Sequence, residues 1–248
     1  MYDPPGYLWA ITLAGVIAVP AATSILLYGG GIRSGLSRGR AALLAGGAAA
    51  VFGAWFTTSA VIAGHGWYHT RLGHGVPWLP VAVIGSLVAF LALRRIPVVA
   101  RALTAPGTVS RLEIPHTFRV AGVAFLLMMA LGHLPALFAL PAGLGDIATG
   151  LAAIVVARRL ARGAGDRAAR WLNAFGLTDL VVALMLGALT AYQLINVSPP
   201  GSAISLLPLA LVPTAEVPLL LTLHITSLTA LARAPRTARP ASATLTVA

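Results

Sequence analysis

The sequence predicts an all-α polytopic membrane protein, a seven-transmembrane-helix bundle with its N-terminus outside and its C-terminus in the cytoplasm. Three observations predict it. Of 248 residues, 58% are hydrophobic and 9% charged, against roughly 25% charged in ordinary soluble domains. The apolar residues run in continuous stretches close to the ~20 residues a helix needs to cross a bilayer, not in the ~10-residue alternation of an outer-membrane barrel. The arginines gather in the short connections, almost all on one side, where orientation signals belong.

The elements follow in order. Span one is expected over 7–28, with Tyr7 and Trp9 at one end and Tyr28 at the other, the positions of interfacial aromatic anchors. Gly29, Gly30 and Gly31 close it, and Arg33, Arg38 and Arg40 fill the connection to span two, 41–63. A loop rich in glycine and histidine, 64–75, leads to span three, 76–93. The polar stretch 94–116 carries Arg94, Arg95, Arg101, Arg111 and Glu113 with three prolines, which suits a connection holding a short interfacial helix. Span four is expected over 117–140, and a tight turn at Leu140-Pro141 opens a short span five, 142–157, whose length is also compatible with a re-entrant segment. The basic loop 158–170 precedes span six, 171–195. Span seven, 203–231, contains Pro208, Pro213 and Pro218. Residues 1–231 thus form one transmembrane domain and 232–248 a disordered basic tail.

In this threading sixteen of the 17 basic residues share a side, Arg119 counted just inside span four, and only Arg71 lies opposite. The positive-inside rule makes that side cytoplasmic. The net charge of +11 then reports topology, and no nucleic acid is expected as a partner. Abundant Ala, Gly and Arg without lysine reads as GC-rich bacterial coding, hence an inner (plasma) membrane. Residues 1–7 lack the basic n-region of a cleaved signal peptide, so the first span is expected to remain in the mature protein. Zero cysteines exclude disulfides and thiol chemistry. Without lysine there is no retinal Schiff base, and His224 has no second histidine on its span to make a zinc-hydrolase pair. No phosphate loop, nucleotide signature or nucleophile elbow occurs.

Five ionisable groups fall inside predicted spans: His133, Asp146, Asp179, Glu216 and His224. Such residues are expensive in lipid and face the protein interior or a wet cavity. At ~1.5 Å per residue the predicted boundaries arrange them as a ladder. His133 and Asp146 form an outer layer, Glu216 the middle, and Asp179 with His224 an inner layer. Ladders of this kind suit a proton relay. The phrase Gly143-Leu144-Gly145-Asp146-Ile147 is echoed by Gly176-Leu177-Thr178-Asp179-Leu180 on the antiparallel neighbour, as an inverted repeat would produce. Small residues flank both aspartates, which favours close helix approach.

His65, His69 and His74 in the outer loop are spaced to share a metal ion or haem, with His133 and Asp146 beneath. The pair Glu113-x-x-His116 reads as a solvated loop. The expected function is a small proton- or cation-coupled transporter whose partners are the bilayer and a small molecule or ion. The competing expectations are a metal- or haem-dependent enzyme acting on a lipid-soluble substrate, and an accessory membrane subunit.

Overall fold

The computed structural model describes residues 3–69 and 75–233, and over these the chain is all-helical. Its α-helices are α1 (Gly6–Arg33), α2 (Arg38–Gly64), α3 (Trp78–Leu93), α4 (Pro97–Thr104), α5 (Thr108–Leu112), α6 (Val123–Ala130), α7 (Ala136–Ala161), α8 (Asp166–Ala191) and α9 (Val217–Arg233). A 3₁₀ stretch, Pro115–Gly122, joins α5 to α6, and a π-helical turn, Val212–Glu216, runs into α9. Six helical segments are long and apolar enough to cross a membrane: α1, α2, Thr108–Ala130, α7, α8 and Val212–Arg233. The pair α3 and α4, bent by 81° at its break, would be a seventh if it counts as one span.

Local chemistry sets the breaks. Ser37 caps α2 by accepting the Arg40 amide at 3.4 Å. Arg94 ends α3, and α4 restarts with Pro97 in its first turn, where the missing N–H is harmless. Between α6 and α7, Gly132 takes a φ of +75°, a left-handed conformation available to glycine without strain, and Pro135 then stands immediately before the first turn of α7.

That turn corrects the expected boundaries of spans four and five. The chain reverses at 131–135, not at Leu140-Pro141, and Pro141 lies inside α7. A proline one turn into a helix removes a single hydrogen bond, whereas Gly132 with Pro135 leaves no helical continuation. α7 is consequently 26 residues long, enough to cross a bilayer, and the fourth segment begins at Thr108, inside the stretch expected to be a loop. The last long segment begins at Val212 instead of residue 203. The expected tail beyond Arg233 lies outside the described residues.

α9 is the central helix and α2 the peripheral one: 72% of the apolar window of Val212–Arg233 is buried, against 11% for α2. α2 is held mainly by α1 and, near its C-terminal end, by polar ties to the π-helical turn. The Trp55 indole N–H donates to the Thr214 carbonyl at 2.9 Å, and Ser59 bonds the Thr214 and Tyr68 hydroxyls at 2.6 and 3.0 Å. One apolar cluster, including Leu27, Leu103, Leu112 and Leu223, fills the arginine-rich end of the bundle; another, including Leu8, Met128, Leu134 and Phe138, fills the opposite end. A layer of buried polar side chains lies between them.

Candidate functional site

The polar layer is organised by Arg119. Pro115 lacks an amide hydrogen and the backbone beyond it winds as a 3₁₀ helix. Three residues make one 3₁₀ turn, so side chains three apart lie over one another. His116, Arg119 and Gly122 follow at that interval, with Glu113 three residues earlier, just ahead of the 3₁₀ stretch; all four are buried, and the stretch packs mainly on α7 and α1.

Arg119 is 1% exposed and uses every edge of its guanidinium. Nε donates to Asp146 Oδ1 at 2.7 Å, and Nη2 donates to Asp179 Oδ2. Nη1 donates to the Gly176 carbonyl at 3.3 Å and lies 3.1 Å from His224 Nε2. Because the guanidinium only donates, His224 Nε2 accepts, and the imidazole carries its proton on Nδ1. That nitrogen lies 2.8 Å from Asn173 Oδ1. The Asn173 amide in turn donates to Glu113 Oε1 at 2.8 Å, where the Ser227 hydroxyl also arrives at 2.6 Å. A directed chain therefore runs from Arg119 through His224 and Asn173 to Glu113. His116 stacks on His224 with ring centroids 3.7 Å apart and planes 12° from parallel. Both His116 nitrogens and Glu113 Oε2 are buried and have no hydrogen-bond partner among the described residues.

Glycines make the approach possible. A Cβ built on Gly122 would come within 2.7 Å of Asp146 Oδ2, and one on Gly145 would overlap the Asp179 carboxylate. The small residues flanking the two aspartates are thus the space into which carboxylates and guanidinium fit.

Glu216 closes the π-helical turn ahead of α9 and is 5% exposed. With Thr12, Arg119, Gly122 and Asp146 it lines a cavity of about 20 Å³, room for one water molecule. The buried Thr12 hydroxyl, on that wall, has no partner. A second cavity of about 320 Å³ lies between α3 and α8. Its walls are almost wholly apolar, including Val83, Phe125, Phe138 and Leu184, and Asp146 lies on its inner wall. Tyr192, on the same lining, has a buried hydroxyl without a partner, and burial raises its pKa above the ordinary phenol value.

Four of the five expected groups therefore converge: Asp146, Asp179, Glu216 and His224. They form a cluster, not a ladder. The expected layers rested on helix starts at 142 and 171, whereas the helices begin at Ala136 and Asp166. Asp146 is then roughly 15 Å from the start of α7, and Asp179 roughly 18 Å from the adjacent end of α8, so both reach one guanidinium at one depth. His133 is not in the cluster; it sits in the α6–α7 turn, thirteen residues before Asp146. Glu113 and His116, expected in a solvated loop, are completely buried. Of the outer histidines, His65 caps α2 with its ring 6.1 Å from Trp67, and His69 Nδ1 lies 2.8 Å from the Ser205 hydroxyl. His74 lies outside the described residues. Among the described residues no three His, Asp or Glu side chains are placed to hold a metal ion.

Sequence reasoning missed Arg119, Glu113, His116 and Asn173. The signal was present as Glu113-x-x-His116-x-x-Arg119-x-x-Gly122, a period of three that α-helical periodicity does not detect.

No curated protein and no solved structure matches the chain. Residues 76–232, which include α3 to α8, all but the last residue of α9 and every member of the Arg119 cluster, match the family described as Domain of unknown function (DUF8737), and the chain belongs to that family.

Proposed function

We propose that the protein is a small transporter of a bacterial inner membrane that couples movement of a small molecule or ion to protons or cations bound at the Arg119 cluster. One observation carries this reading: four of the six acidic side chains belong to one polar cluster, Asp146 and Asp179 paired with the Arg119 guanidinium and largely buried, and Glu216 and Glu113 buried beside it and at the end of its hydrogen-bond chain. Buried charge without compensation is strongly unfavourable. One fixed positive charge against four carboxyl groups leaves up to three to be neutralised by protons or cations, so occupancy of the cluster is tied to ion binding.

Arg119 also bridges two helices, α7 through Asp146 and α8 through Asp179. Protonating either aspartate weakens one arm of that bridge, which converts proton binding into freedom for α7 to move against α8. The water-sized cavity between Asp146 and Glu216 joins a second carboxyl to the same proton pool. The directed chain to Glu113 extends the polar path toward the arginine-rich end. The apolar cavity beside Asp146 favours a lipid-soluble substrate entering between α3 and α8. An enzyme acting on such a substrate is the alternative that this cavity also supports.

We take α3 with α4 as a bent seventh span and the N-terminus as outside. With Arg119 withdrawn from the count as a buried residue, fifteen of the remaining sixteen arginines still share the side assigned to the cytoplasm.

Proteoliposomes loaded with a pH-sensitive dye test the reading. Wild-type protein is expected to carry a pH-dependent flux under an imposed gradient. Glu216→Gln and Asp179→Asn, each checked for a folded monodisperse peak, should abolish it. Unchanged flux in both variants would remove the proposal.

A further inference from the structure

A third cavity, of about 360 Å³, lies at the arginine-rich end between α2 on one side and α3, α4 and α9 on the other, with Thr23 and Leu27 of α1 at its back. Its origin is the way α2 is attached. The ties through Trp55 and Ser59 hold its C-terminal half to the π-helical turn, and Phe52 meets Phe90 of α3 edge to face at 5.6 Å. Below that contact no polar tie joins α2 to α3 or α9 among the described residues, and the helices part. Leu44, Ala48 and Val51 face the opening from α2, and Leu219 and Leu223 from α9. The 81° bend after α3 lays α4 across the end of the bundle, so Val99 and Leu103 form a floor.

The lining is almost wholly apolar: Thr23, Thr222 and Thr226 are its polar residues and Arg94 its one charge. Arg94, at the bend, contributes to the wall and donates through Nη1 to the Thr226 hydroxyl at 3.2 Å. It is half-buried, and among the described residues no carboxylate pairs with it. Arg95 and Arg233 lie near enough to repel it. Arg94, with Arg95 next to it in the chain, thus sets positive charge at the end of a slot whose volume falls within the usual range for ligand sites, roughly 300–1,000 Å³. Basic pockets between membrane helices recognise anionic lipid headgroups, and the slot accepts an acyl chain in the same direction.

We infer that this groove binds one anionic phospholipid, its phosphate held by Arg94 and one acyl chain lying between α2 and α9. The site is separate from the Arg119 cluster and stands whether or not the chain is a transporter.

Native mass spectrometry of the delipidated protein, titrated with phosphatidylglycerol or phosphatidylcholine of identical chains, tests it. Wild type should retain phosphatidylglycerol preferentially. Arg94→Gln should lower that retention about fivefold, the effect of one arginine at a lipid surface, and leave phosphatidylcholine unchanged. Gly47→Trp supplies the second arm. A Cβ on Gly47, another residue of the groove wall, meets nothing within 4 Å, so the indole fills the slot without disturbing the backbone and should reduce retention of both lipids. Equal retention of the two lipids by wild type, or full phosphatidylglycerol preference in Arg94→Gln, overturns the inference. So does undiminished binding in Gly47→Trp.

Discussion

Two of the arginines that reach the interior of this bundle have opposite surroundings. Arg119, on the 3₁₀ stretch, is sealed from outside and answered by Asp146 and Asp179. Arg94, at the α3–α4 bend, is half-buried, and among the described residues its guanidinium is bonded only to a threonine hydroxyl. The difference follows from depth. At the middle of the bundle a guanidinium loses its water and must be neutralised from within the chain. At the end its long side chain reaches the polar boundary, where an external anion can take the place of a carboxylate. The first arginine is therefore part of the fold, and the second is a handle on the surroundings.

The largest expected effect comes from breaking the first case. Arg119→Met leaves two buried carboxylates without a counter-charge, a loss of about 3–5 kcal/mol. Unfolding in mixed detergent micelles should show it as collapse or a sharply lowered midpoint. Adding Asp146→Asn and Asp179→Asn should restore most of the stability, because the charge and not the shape is at fault. A single Arg119→Met variant as stable as wild type would mean the cluster is not held by ion pairing.

Next in size is Gly145→Ala, which drives a methyl group into the Asp179 carboxylate. Overpacking of this kind costs about 1–3 kcal/mol. Its counterpart on the peripheral helix, Gly47→Ala, enters open space and should be neutral or stabilising by up to ~1 kcal/mol through helix propensity. Measured side by side, the two substitutions test whether small residues serve close packing in one region and not in the other. Asn173→Leu breaks the link between His224 and Glu113 and should lower stability by about 1 kcal/mol. Arg94→Gln should change stability by less than about 0.5 kcal/mol while shifting lipid retention. A large loss of stability in that variant would make Arg94 structural like Arg119.

The rarity of charge made much of the site legible in advance. Asp146, Asp179, Glu216 and His224 stood out because an ionisable side chain in an apolar run needs company, and they do lie together. Their arrangement was not legible, since depth depends on helix starts. Pro141 suggested a turn that Gly132 and Pro135 provide instead, and the five or six residues of error moved Asp146 and Asp179 apart by most of a leaflet. Arg119 is hidden for a related reason: near a predicted span end an arginine reads as a topological signal, and nothing in its local pattern marks it as a counter-charge. Glu113 and His116 sit among polar residues that suggest a solvated loop, yet the helical segment from Thr108 to Ala130 carries both inward, Glu113 at the end of α5 and His116 on the 3₁₀ stretch.

The amino-acid sequence by itself determined that this chain builds long apolar helices, that its arginines gather at one end, and that a few acids and imidazoles must be sheltered from lipid. These follow from composition and local spacing, because transfer energies act residue by residue. Only the tertiary structure decided that the two aspartates share one guanidinium, that His116 stacks on His224, and that α2 stands away from α3 beside Arg94. Those relations depend on where antiparallel helices begin and on which glycines let them touch, quantities that a one-dimensional pattern does not contain.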